Sequence, residues 1–407
     1  MNRPTRLLLA LAAATGLLTL AAVPGSAAPA TEAAEVAAVS TTATFNDPGG
    51  DATAQNRVRD HIRDLIDQAP AGSSITAGLY TFTDDSVTDA LYAAKNRGVN
   101  VKIIVDHTSV TMTGGEYDRL ATRLGTDRTQ GSWVYACPAG RGCVGTRQLP
   151  SDSDGAINHN KFYLFSSTGG ADNVVVQTSA NLTGVQRTDL FNNAVTIVDA
   201  GLYGIYQAYF ADLLSYGTSS TGLSHYYKTP SSGAYKTYFF PRKEAAGTEY
   251  NNDASTDTIK LILDNVSCSG GTQIRMAANL FTRDEVATKL VALKNAGCSV
   301  ILAHDGYPGS LGATVESIIS GKLTQRVQCY EDRGTGVAKA GLHSKYLLIE
   351  GTYNGASGRK LVFTGSHNYT YPALRANDET LLKIDNAALY DQYKANHAHL
   401  MSYCAGS

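Results

Sequence analysis

Two short clusters of polar residues stand out because the same residue types recur in the same order. His159-Asn160-Lys161 precedes the apolar run FYLFSS, and Ser179 and Asn181 close a second run, VVVQTSANLTG. Further on, His343-Ser344-Lys345 precedes YLLIE, and Ser366 and Asn368 close LVFTGSHNYT. One HxK alone carries little meaning. Two copies, followed by SxN at 20 and 23 residues after the histidine, point to a shared task. Alternation along an extended chain puts the members of each HxK, and of each SxN, on one face.

Polar groups repeated in frame among buried strands need a common partner, because burial without one is costly. An anion with several oxygens suits them. Lys161 and Lys345 are point charges, while Asn181, Asn368, Ser179 and Ser366 are donors, which makes phosphate the natural ligand. A neutral imidazole can attack phosphorus, and a protonated one can donate to the departing oxygen and later deprotonate the acceptor. With an unperturbed pKa of about 6.5, histidine serves in either state near neutrality.

The elements that must position these groups are themselves duplicated. Residues 80–106 and 279–305 align without a gap at an offset of 199, with 11 of 27 residues identical, among them Gly98/Gly297 and Asp106/Asp305. Ile75 to Phe82 reads as a strand, and Asp84 or Asp85 as a helix cap. Val87, Leu91 and Ala94 share a helical face, Gly98 suits a left-handed C-terminal cap, and VKIIVD reads as a buried strand. Strand, helix and strand with a short return make a βαβ unit with a right-handed crossover. The predicted fold class is therefore α/β, two duplicated halves of helices on mostly parallel or mixed sheets. Half one is placed at 41–215, a Gly/Ser/Thr/Tyr-rich connection at 216–236, and half two at 237–404. Tyrosines in the connection are expected to pack over the sheets.

The paired HxK and SxN motifs resemble those of the phospholipase D superfamily, with its two HxKxxxxD motifs and GSxN signatures. The resemblance spans residues 41 to 404. It implies two phospholipase D-like halves packed with pseudo-twofold symmetry around one active site. It also implies a two-step phosphodiesterase or phosphatidyl transferase that requires no metal or other cofactor. By that resemblance His159 is the nucleophile and His343 the general acid/base, with Lys161 and Lys345 beside them.

Departures from the family pattern are specific. Ser166 and Glu350 occupy the positions of the motif aspartates, and the first GSxN reads Thr178-Ser179-Ala180-Asn181. The family backs a catalytic histidine with a carboxylate shortly after SxN. Eleven residues past Asn368 stands Glu379, but eleven past Asn181 stands Asn192, followed by Asn193. If Glu379 backs His343, the roles of the two histidines are reversed. Asp189 is another candidate for the missing charge. His107 and His304, beside the matched aspartates, read as loop histidines, and Trp133 as core.

Composition bounds the rest. The chain has 407 residues, 43% of them hydrophobic, enough for a substantial core and too many for a disordered chain. Its formal net charge of −2 argues mildly against nucleic acid as the partner, since such proteins usually carry a basic footprint. Residues 1–30 read as a signal peptide: Arg3 and Arg6, the apolar run Leu7 to Ala22, then GSAAPA, with cleavage near residues 27–30. Removal of both arginines takes the net charge to near −4. Six cysteines in an exported chain imply disulfides, and Cys137 and Cys143, bracketing PAGRG, are the best single pair. The expectation is a secreted, monomeric enzyme that hydrolyses or transfers the headgroup of a glycerophospholipid at a membrane surface or micelle. A nuclease of the same superfamily and a non-catalytic phosphate-binding member are the alternatives.

Overall fold

A computed structural model describes residues 1, 38–150, 155–331 and 340–406. The signal-peptide reading of residues 1–30 falls outside the described residues, Met1 apart. Two mixed sheets repeat one plan. In the first, the strands run in the spatial order Thr42–Phe45, Asn193–Val198, Ala171–Thr178, Phe162–Thr168, Ser74–Leu79, Asn100–Val105 and Trp133–Ala136. In the second, the matching order is Tyr235–Phe239, Thr380–Asp385, Ala356–Gly365, Tyr346–Tyr353, Gln273–Ala278, Ser299–Asp305 and Gln325–Glu331. Duplication thus extends strand for strand, well beyond the 27 residues in which it is visible as identity.

Each βαβ unit forms as the residue pattern predicts. Strand Ser74–Leu79 pairs in parallel with Asn100–Val105, and Gln273–Ala278 with Ser299–Asp305. The intervening helices are Asp85–Asn96 and Asp284–Asn295. Asp84 caps the first, its carboxylate accepting from the backbone N–H groups of Ser86 and Val87. Gly98 and Gly297 follow the two helices at φ 94° and 99°, a region open to glycine. Val87, Leu91 and Ala94 are buried beneath the first helix.

The two halves meet through long helices, Ala200–Thr218 and Ala387–Cys404. Each carries aromatic side chains onto the other half. Tyr209 stacks on Phe239 at 3.9 Å between ring centroids, and Tyr393 meets Phe45 edge-on at 5.1 Å. The edge-on contact is a favoured aromatic geometry. Trp133 is buried against Phe210, as expected of a core residue. The span 216–236 begins within the first long helix and ends within strand Tyr235–Phe239. Of its tyrosines, Tyr226 packs on Tyr209 and Tyr216, and Tyr227 on Phe240.

Three disulfides join Cys137 to Cys143, Cys268 to Cys298 and Cys329 to Cys404. This framework is consistent with an extracellular protein. Among the described residues, no helix is long and apolar enough to cross a membrane.

Candidate active site

Neither HxK lies within a strand. Each is the extended lead-in to one, ending at Phe162 and Tyr346 respectively. The adjacent antiparallel strand of each half ends at SxN, so both motifs emerge at the same edge. Thr178 N–H donates to the Lys161 carbonyl at 3.0 Å and holds the two segments together.

Each lead-in is then stitched to the opposite half. His159 N–H donates to the Asp378 carbonyl at 3.0 Å, and Asp378 N–H to the Ile157 carbonyl at 2.9 Å. On the other side, Leu190–Phe191 runs parallel to Ala340–Leu342, and His343 N–H donates to the Phe191 carbonyl at 2.9 Å. Asp378 and Phe191 are the residues just before Glu379 and Asn192. The cross-pairing therefore delivers each backing side chain to the other half's histidine.

Glu379 accordingly backs His159, at 2.8 Å from Nδ1 to Oε1. His343 Nδ1 donates to Asn192 Oδ1 at 2.9 Å. The supposition that Glu379 serves His343 is corrected: strands that cross the interface carry the carboxylate to the other histidine. Asp189 does not replace it, since its carboxylate accepts from Thr188. The serines are also placed differently from free donors at a ligand. Ser366 Oγ donates to Glu379, and Ser179 Oγ to Asn192 Oδ1 at 2.9 Å, so both hydroxyls hold the backing side chains.

Lys161 and Lys345 are almost fully buried, and each Nζ donates to the carbonyl of its own HxK histidine. Lys161 lies 5.1 Å from the Tyr80 ring centroid, and Tyr80 in turn meets the His159 ring edge-on. Lys345 Nζ reaches Asn279 Oδ1 at 3.4 Å. Tyr80 and Asn279 were not singled out by residue type. They occupy one repeat position, 199 residues apart, and their unlike identities hid them.

Asp106 and Asp305, the matched aspartates, have a common duty. Asp106 accepts from Asn158 N–H at 2.7 Å and Asp305 from Leu342 N–H at 2.9 Å, in each case the residue before the histidine. Identity within the repeat was their signal. Ser166 and Glu350, at the family's aspartate positions, are structural. Ser166 Oγ accepts from Ser74 N–H, and Glu350 pairs with Lys394 and Arg275. His304 is buried, bonded to the Asp305 carbonyl and to Arg326. His107 lines an adjoining recess with Tyr80 and Arg141.

His159, His343, Asn181, Asn368 and Glu379 open on one cleft of about 720 Å³, walled further by Tyr80, Tyr250, Asn279 and Tyr371. Its size suits a small ligand or a headgroup. The buried Oδ1 atoms of Asn181 and Asn368 have no protein partner. Burial, reinforced by Lys161 and Lys345, holds the His159 imidazole well below its usual range. For His343 the order is burial, Lys345, then Lys161. Burial lowers Lys161 to about 7 and Lys345 well below the usual lysine range. It lifts Glu379 to about 8, opposed by Lys161 and the Ser366 hydroxyl. Such a cluster is built to receive negative charge.

Residues 62–214 and 266–401 match the family described as cardiolipin synthase, PLD-like domain. The chain belongs to that family, within the phospholipase D superfamily. No curated protein sequence matches it. Among solved structures, phosphatidylserine synthase of Haemophilus influenzae Rd KW20 shares the fold with a TM-score of 0.56 at 13% identity, over 89% of this chain and 86% of that one. Polyphosphate kinase of Porphyromonas gingivalis gives 0.53 at 14% identity, over 88% of this chain and half of its own. As a phospholipase D-superfamily member, the chain has the mixed α/β fold of two halves and the makings of a phosphoryl-transfer enzyme.

Proposed function

We propose that this protein is a secreted phosphoryl-transfer enzyme that cleaves the headgroup phosphodiester of a glycerophospholipid, passing the phosphatidyl group to water or to another alcohol. One observation carries the reading: both HxK histidines face one cleft, and the His159 Nδ1 is held by the Glu379 carboxylate. With its proton on Nδ1, His159 presents Nε2 to phosphorus. The P–N bond forms as the bond to the leaving oxygen breaks, giving a phosphohistidine. His343 is the acid/base, and Lys161, Lys345, Asn181 and Asn368 hold the phosphoryl oxygens. No separate metal or cofactor is assigned a step. Three disulfides support export, and the two halves complete the site within one monomer.

The test is turnover by the purified protein lacking residues 1–30 on phosphatidylcholine vesicles and on plasmid DNA, with and without chelator. His159→Ala and His343→Ala are the controls. Lipid turnover that survives chelator, with a phosphoenzyme labelled at His159, is the expected result. Label at His343 overturns the assignment of roles. DNA cleavage without lipid turnover establishes the nuclease reading, and turnover of neither returns the chain to a phosphate-binding role.

A further inference from the structure

The two backing residues differ in charge, and the orientation of the uncharged one is fixed. Asn192 Nδ2 donates to the Gln186 carbonyl at 2.9 Å and the Leu190 carbonyl at 3.2 Å. Its Oδ1 accepts from Ser179 Oγ and faces His343 Nδ1. A flipped amide would set its oxygen against two carbonyls, so the network assigns Oδ1 to the histidine. Asn192 N–H is held in turn by Asn46 Oδ1 at 2.7 Å. His343 therefore carries its proton on Nδ1, and its Nε2 holds a lone pair.

That tautomer is a base. To act as an acid, His343 must become an imidazolium, and an amide stabilises that charge less than a carboxylate would. Its surroundings oppose the charge as well. Burial, Lys345 and Lys161 disfavour the cation, against a hydrogen bond with the Ser179 backbone that favours it. Among the described residues that line the cleft, Glu379 is the one carboxylate, and it is committed to His159 and Ser366.

We propose that Asn192 makes the first step depend on the acidity of the leaving group, so that a donor whose leaving group departs as a stable anion reacts faster than one that releases an alkoxide headgroup. This rests on the two-step reading above and names the residue that sets its leaving-group preference. An alkanol is about as weak an acid as water, and its alkoxide needs a proton as it departs. A phosphate, with a pKa of about 6, does not. In the first step His159 Nε2 bonds to phosphorus and the leaving oxygen takes the electron pair of the broken P–O bond. In the second, His343 Nε2 takes the proton of the acceptor hydroxyl, whose oxygen bonds to phosphorus as the P–N bond breaks. His343 then returns the proton to water. The resting tautomer serves the second step without change, which suits transfer to an alcohol.

Two short-chain phosphatidyl esters with different leaving groups, 4-nitrophenol and choline, test this. The wild-type protein should release 4-nitrophenolate in a rapid burst and choline at least tenfold more slowly. Asn192→Asp should raise choline release about tenfold for each unit gained in the His343 pKa, leave the nitrophenolate burst within about threefold, and move the choline pH optimum upward. Equal wild-type rates for both esters, or an Asn192→Asp protein that changes both rates equally, would overturn the inference while leaving the two-step reading intact. A burst from neither ester overturns both.

Discussion

His159 and Glu379 stand 220 residues apart in the chain and 2.8 Å apart in the fold, each in a different half. Their partnership is one of a crossed pair, the other being His343 with Asn192. Neither half has a finished site without the other.

Glu379→Gln keeps the volume and an oxygen for the His159 Nδ1–H, and removes the negative charge that Glu379 takes on as pH rises through about 8. By analogy with carboxylates that orient catalytic histidines elsewhere, kcat should fall by roughly 10²–10⁴. Steady-state kinetics should show this with little change in Tm. Loss of less than tenfold would show that the carboxylate does not act through His159.

Asp305→Ala should cost both stability and activity, because the buried Leu342 N–H then lacks its acceptor. An unsatisfied buried donor is worth about 1–3 kcal/mol. A displaced His343 would lower turnover as well, since small misplacements of a reacting group are expensive. Asp305→Asn retains an acceptor oxygen and should restore most of the activity. Denaturant melts and kcat on the same preparations separate the two effects.

Stability should fall as the solution is acidified. His397, buried where its Nε2 meets the Met276 carbonyl, is lowered by burial to about 4. Unfolding frees it to titrate near 6.5, so the unfolded chain takes up the proton first as pH falls. Its contribution is complete above about 6.5 and is lost between about 6.5 and 4, an effect of about 3 kcal/mol. His397→Gln should flatten that part of a Tm-versus-pH curve. An unchanged slope would remove His397 from the account.

The Cys329–Cys404 bridge closes a separation of 75 residues, whereas Cys137–Cys143 closes only 6. Chain-entropy arguments assign about 4 kcal/mol to the first and about 2 to the second. Replacing each pair by serine should lower the urea midpoint in that order. The reverse order would locate the stabilisation in local packing instead.

Much of this site was readable from residue types alone. His159, Lys161, His343 and Lys345 repeat because two strands of the same plan lead from them. Asp106 and Asp305 repeat because each holds the backbone before a histidine. Glu379 and Asn192 were visible at equal distances past SxN, yet their partners were not. Local spacing says which residue follows a strand, and says nothing of which half it will face. Tyr80 and Asn279 escaped notice because like positions carry unlike side chains.

What the sequence by itself determined was the duplication, the α/β class and the set of polar groups, because periodicity, capping and recurrence are local properties of a chain. What only the tertiary structure decided was the exchange across the interface. The parallel pairings at Asn158/Asp378 and Leu342/Phe191 join segments distant in the chain, and no local rule specifies such a contact. By crossing the halves, they give His159 a carboxylate and His343 an amide. Burial of both sites makes that difference in charge matter.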